Sequence, residues 1–327
     1  MSTARHVIAL LKSYLEGEEQ QFFSVALQMA AHEARQGHTK VAQEIQSLID
    51  QAKERKSVIE RKASPIPLVQ PKGELSNLVS VRYSDTRLID MILPPVLEKR
   101  LRRILIEQIK QKRLAEYNLK PRRKILLVGP PGSGKSMTAA ALAGELQLPL
   151  FTVLYTSLIT KFMGETANQL KLIFDAMVVT RGVYFFDEFD AIGSQRAAIN
   201  DVGEIRRILN SCLQLLENDD SQSLIIAATN HPDLLDKALF RRFDDVIEYD
   251  LPNQEVVSQL LEARLACFHI EWENWQRTIE TAQGLSQSDL VRAANEAAKV
   301  AVLSDLNSIS EENMISAILE RKNTIFE

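Results

Sequence analysis

Two cysteines, Cys212 and Cys267, are too few in 327 residues for a disulfide framework or a thiolate metal cluster. Long apolar runs are missing as well. No stretch approaches the roughly 20 residues that a membrane helix needs, and Met1-Ser2-Thr3-Ala4-Arg5-His6 lacks the apolar core of an export signal. A cytoplasmic location without a membrane partner is expected. Nor does one charge dominate. Lys and Arg number 39 against 43 Asp and Glu, and a formal net charge of −4 gives the whole chain no pull toward nucleic acid or acidic lipid. Two catalytic patterns also fail. His32 and His38 have Gly37 between them and lack the i, i+4 spacing of a helical zinc site. No Ser-His-Asp pattern is visible, so any proteolysis would belong to another chain.

What is present falls into segments. Residues 4 to about 56 carry apolar positions at helical spacing (Val7, Leu11, Phe22, Phe23, Val41, Ile45), which predicts about three helices in an N-terminal unit over 1–60. Its composition suits a client or partner adaptor, with a passive oligomerisation element as the alternative. Residues 61–79, with Pro65, Pro67, Pro71 and Gly73, read as a linker. Over 80–251, five short apolar runs alternate with helical stretches: Ile125–Val128, Leu150–Leu154, Val183–Phe186, Leu224–Ala228 and Val246–Tyr249. That alternation predicts an α/β fold with a mainly parallel sheet covered on both faces. Over 252–327 no strand signal returns. A small helical lid domain is expected there, with one helix capped by Ser286 and another starting near Ser310.

Between Lys99 and Lys124 bases far outnumber acids. This stretch reads either as a solvated helix face over Leu101, Ile104, Leu105 and Ile109, or as a surface for nucleic acid or an acidic partner.

The chemistry begins at Gly129-Pro130-Pro131-Gly132-Ser133-Gly134-Lys135-Ser136, a phosphate-loop pattern between an apolar strand and a helix-forming run. Glycines there let successive backbone N–H groups converge on phosphates, and the helix adds its positive N-terminal end. Lys135 is expected on the β- and γ-phosphates of ATP and Ser136 on Mg²⁺. A second strand, Tyr184-Phe185-Phe186, runs out into Asp187 and Glu188. Ligands of such sheets sit beyond the carboxyl ends of the strands. Asp187 is therefore expected to hold Mg²⁺ and Glu188 to polarise the attacking water, with Asp190 as a helix-entry cap.

Together these residues resemble the AAA ATPase family of the AAA+ superfamily, from about residue 85 to the C-terminus. The resemblance implies a P-loop ATPase domain, a helical lid and a homo-oligomer, expected to be a hexamer. Leu224–Pro232 is similar to the family's sensor-1 strand, which implies that Asn230 positions water or touches the γ-phosphate. Asp236–Asp244 resembles the second region of homology, with the short arginine spacing of the katanin- and spastin-like branch. Arg241 and Arg242 thereby inherit the role of arginine fingers that reach a neighbouring subunit's nucleotide. Glu204–Asn210 resembles a segment at the subunit interface. Gly284–Leu290 resembles the start of the lid helix, with Ser288 where other branches carry a sensor-2 arginine. Lys161-Phe162-Met163-Gly164 resembles the pore loop that grips a threaded protein client. An aromatic ring and a flexible Met can wedge between side chains without sequence preference, and Gly164 permits the turn. The same Phe162 and Met163 could also be core residues.

The N-terminal helices resemble those of bacterial AAA ATPases encoded beside a subtilisin-like protease, which implies a separately encoded protease as partner. The expected activity is a ring ATPase that unfolds, threads or remodels protein. The alternatives are a nucleic-acid motor or loader and a nucleotide-switched assembly scaffold. Nucleic acid is not the expected partner.

Overall fold

The structure is a computed structural model that describes residue 71 and residues 73–154, 163–190, 202–235 and 237–326. The expected N-terminal unit, Lys161 and Phe162 lie outside the described residues. The chain divides into Met1–Leu68 and Val69–Glu327, and the described residues all belong to the second unit.

All five apolar runs pair into one sheet, and a sixth strand joins its edge. In chain order the strands are β1 (Val79–Arg82), β2 (Lys124–Val128), β3 (Leu150–Val153), β4 (Val183–Phe186), β5 (Leu224–Thr229) and β6 (Asp245–Glu248). Their order across the sheet is β1-β3-β4-β5-β2-β6. Every pairing is parallel except β1 with β3, where Val79 faces Val153 and Arg82 faces Leu150. Alternation within each strand feeds two cores. Leu126, Tyr184, Phe186 and Ile225 pack on one face, and Ile125, Leu127, Phe185 and Ile226 on the other.

Helices cover both faces because their apolar stripes match. Leu170, Ile173, Phe174 and Met177 of a helix at Met163–Val179 join the first core. The second core takes Leu97, Leu101, Ile104 and Leu105 from a helix at Pro95–Ile109, and the alanines of a helix at Lys135–Leu146. Pro95 suits the first helical position, where its missing N–H costs nothing. Ile109, expected on the buried stripe, is exposed at 68% because the helix ends there.

The lid is mostly helical, with helices at Gln254–Arg264, Gln276–Ala282, Gln287–Leu303 and Glu311–Phe326. The Ser286 side chain accepts from the Asp289 N–H, which makes it the expected N-cap. Burial alone would raise the Asp289 pKa. Hydrogen bonds from Ser286 and Arg321 outweigh that and hold it below the usual carboxylate value. Trp272 and Trp275 meet edge to face at 4.9 Å and pack against the lid core. The expectation of no strand after residue 252 needs correction. β7 (His269–Ile270) and β8 (Ser308–Ile309) pair in parallel, each too short to show a period in sequence.

Candidate nucleotide site

The carboxyl ends of β2, β4 and β5, residues 89–92, the end of the Gln254–Arg264 helix and the start of the Gln287–Leu303 helix enclose a cleft of about 910 Å³. Pro131, Gly132, Gly134, Lys135 and Ser136 line it from the loop after β2, Asp187 and Glu188 from the turn after β4, and Asn230 from the end of β5. Residues far apart in sequence thus share one space.

The loop is folded around its own lysine. Lys135 Nζ donates to the carbonyls of Gly129 and Pro130, each at 2.7 Å, and lies 3.4 Å from Ser133 Oγ. These three residues support Lys135 from behind. Burial lowers the Lys135 pKa, and the Asp187 and Asp190 carboxylates oppose that shift. Two glycines owe their identity to neighbours as well as to phosphate. A Cβ on Gly129 would run into the Tyr249 carbonyl at the end of β6. A Cβ on Gly132, whose φ is +74°, would collide with Ser286 Oγ of the lid. Gly132 O instead accepts the Ser288 N–H at 3.0 Å, which draws the lid helix onto the loop.

Ser136 Oγ donates to Asp187 Oδ2 at 2.9 Å. A hydroxyl and a carboxylate side by side are hard oxygen donors of the kind Mg²⁺ takes, with water and phosphate oxygens completing its shell. Among the described residues no group of three His, Cys, Asp or Glu forms a metal cage. Glu188 is exposed at the turn, and its N–H donates to Asp187 Oδ1 at 3.0 Å. Its φ of +49° is left-handed, a conformation that costs a non-glycine residue about 1–3 kcal/mol and persists only where its surroundings impose it. Asp190 is 8% exposed and accepts the Thr229 hydroxyl at 2.8 Å; the residues it is expected to cap, from 191 on, lie outside the described residues.

From the lid, Gln287 and Ser288 line the cleft, and so do Arg264 and Arg292. These two arginines carry no motif of their own, and the family pattern ends before Arg292. The available signal was spacing. Arg292 is four residues beyond Ser288, on the same helix face, and helical side chains lean toward the N-terminus and hence toward Ser288.

Arg241 and Arg242 lie elsewhere. Arg241 is exposed, and Arg242 is half-buried beside Glu217, with Nε 3.2 Å from Oε2. Neither lines the cleft of its own chain. Met163 and Gly164 begin the helix that ends at Val179.

Five arginines of the basic stretch are paired within the chain. Arg100 and Arg122 both pair with Asp245, Arg122 at 2.7 Å, and Arg123 pairs with Asp219 at 2.7 Å. Arg102 pairs with Glu98 and Arg103 with Glu107 along one helix.

Residues 125–251 match the family described as "ATPase family associated with various cellular activities (AAA)". Among relatives, the chain is 28% identical over 310 residues to "Uncharacterized AAA family ATPase y4kL" of Sinorhizobium fredii, covering 94% of this chain and 92% of that one. It is 33% identical to the proteasome-activating nucleotidase of Thermococcus onnurineus over 73% of this chain, and spans 61% of that protein. The solved structure of the FIGL-1 AAA domain superposes with a TM-score of 0.61 at 24% identity, over 78% of this chain and 91% of that one, and so shares the fold. No helix among the described residues is long and apolar enough to cross a membrane. With its phosphate loop and acidic strand end on one cleft, residues 125–251 of this chain carry the domain of the AAA family of ATPases.

Proposed function

We propose that the chain is a Mg²⁺-dependent ATPase that assembles into a cytoplasmic homo-oligomeric ring, a hexamer, and uses hydrolysis to unfold, thread or remodel protein. The observation that carries the ring is the position of Arg241. It is exposed, makes no ion pair with a described residue and does not line its own chain's cleft, which leaves its charge free to meet a neighbouring subunit. Arg242, held by Glu217, would support it.

Lys135 and the loop N–H groups bind the phosphates, and Ser136 with Asp187 would hold Mg²⁺. Bound there, the metal neutralises charge developing on the phosphoryl oxygens. Glu188 polarises the attacking water and Asn230 positions it. A neighbour's Arg241 completes the charge balance, a contribution worth about 10³–10⁵ in rate. Protein as the client is supported by the nucleotidase relative, whose name couples it to the proteasome, and by the Lys161–Gly164 pattern, with Phe162 and Met163 as the gripping side chains. Any protease would be a separate partner, recruited through the N-terminal unit. The nucleic-acid reading is weakened because five of the six arginines of the basic stretch, Arg100, Arg102, Arg103, Arg122 and Arg123, are paired within the chain.

Lys135→Ala should abolish ATP binding, whereas Glu188→Gln should retain ATP and stop turnover. Mixing Arg241→Ala with Lys135→Ala subunits should restore part of the activity, since each supplies what the other lacks. Specific activity that stays constant on dilution to monomer would refute the ring. Phe162→Ala should keep ATPase activity and lose client processing.

A further inference from the structure

We infer that Thr229 and Asp190 form a positioning pair that locks the sensor residue Asn230 to the turn carrying Glu188, so that the two act on the same water in register. This rests on the roles proposed above for Glu188 and Asn230, and it gives a task to two residues that the nucleotide site does not otherwise use.

Thr229 is the last residue of β5 and fully buried. Its hydroxyl has one proton to give and lone pairs to receive with, and both capacities are used. The proton goes to Asp190 Oδ1 at 2.8 Å. The oxygen accepts the His231 N–H at 3.0 Å, closing a side-chain turn around Asn230. One hydroxyl therefore fixes the backbone on both sides of Asn230 and ties it to the neighbouring strand's turn. A second link runs parallel to it, since the Phe189 N–H donates to the Ala228 carbonyl at 2.8 Å. Glu188 thus sits directly before a residue bonded to β5, and Asn230 directly after one bonded to the β4 turn.

The acceptor is a carboxylate for a physical reason. Hydrogen bonds to an ionised partner are roughly twice as strong as neutral ones, and Asp190 at 8% exposure leaves water little chance to compete. A valine at 229 would have the shape of threonine with neither bond. Asn230 would then be free to move relative to Glu188 while the phosphate loop stayed intact.

The test is steady-state kinetics on the full, assembled chain. Thr229→Val should lower kcat by about 10–100-fold, the usual cost of losing a supporting partner, with KM for ATP and nucleotide affinity within about twofold of the parent. Thr229→Ser should restore most of the rate, because it keeps the hydroxyl. Asp190→Asn, which preserves size, should fall in the same direction as Thr229→Val, and the double variant should be no slower than the slower single one. Near-parent kcat in Thr229→Val, a Thr229→Ser as slow as valine, or losses in kcat and ATP affinity that move together would overturn the assignment. Glu188→Gln separates the two readings. If it hydrolyses ATP normally, the underlying catalytic roles fail. If it is inactive while Thr229→Val is normal, only the positioning pair fails.

Discussion

Two groups of arginine show how little charge density in a sequence says about charge available for work. Around the outer edge of the sheet, Arg100, Arg122 and Arg123 are committed to Asp245, Glu107 and Asp219. Around the rim of the nucleotide cleft and the exposed turn before β6, Arg292 and Arg241 have no carboxylate partner among the described residues. The first group is dense and conspicuous and serves the fold. The second is sparse, and only the structure shows that its members are unspent.

That contrast can be broken most sharply at Arg241. Its replacement by Ala should slow hydrolysis by about 10³-fold or more while ATP still binds, measured as kcat beside nucleotide affinity. Arg242→Ala should cost less. The opposite signature belongs to Arg123, whose side chain is 13% exposed against 1% for Asp219. Arg123→Met leaves a buried carboxylate unpaired and should cost about 3–5 kcal/mol of stability in denaturant titration. Arg292→Ala should weaken ATP binding by about tenfold, the range of one hydrogen bond to a charged group, with no loss of Tm. Weakest of all should be Arg102→Glu and Arg103→Glu, since those side chains are 57% and 69% exposed. Each should shift stability by no more than about 1 kcal/mol and leave ATPase activity unchanged. Salt-sensitive DNA binding that vanished in that pair would overturn the internal reading of the basic stretch.

Much of the molecule was legible before the structure, and the gaps have causes. β2, β3, β4 and β5 could be read because each is a nearly continuous apolar run, buried on both faces, while the edge strand β6 showed only as Val246 and Ile247. β1 escaped because Val79-Ser80-Val81-Arg82 is short and half polar, as suits an edge, and follows a proline-rich stretch. β7 and β8 have two residues each and exist only through each other. At the site, the loop, Asp187 and Glu188 were readable because the chemistry demands those residue types at those places, and Asn230 was reached only through the family resemblance. The Thr229–Asp190 bond was not, because it joins side chains 39 positions apart across two strands. Partner choice among arginines was illegible for the same reason: Arg122 finds Asp245 only once β2 and β6 lie side by side.

The contact between Ser288 and Gly132 has a mechanical consequence. The lid is joined to the sheet domain covalently through Leu251 and Pro252, and again where the Ser288 N–H meets the Gly132 carbonyl and the Gln287 amide meets that of Ile92. A stiff body pinned near two points has one easy rotation, about the line through them. One of those pins is the phosphate loop itself. Leu303, at the opposite end of the Gln287–Leu303 helix, lies a full helix length from that pin and would travel farthest in such a rotation. Gly132, with no side chain to hold the lid away, sets where that lever turns.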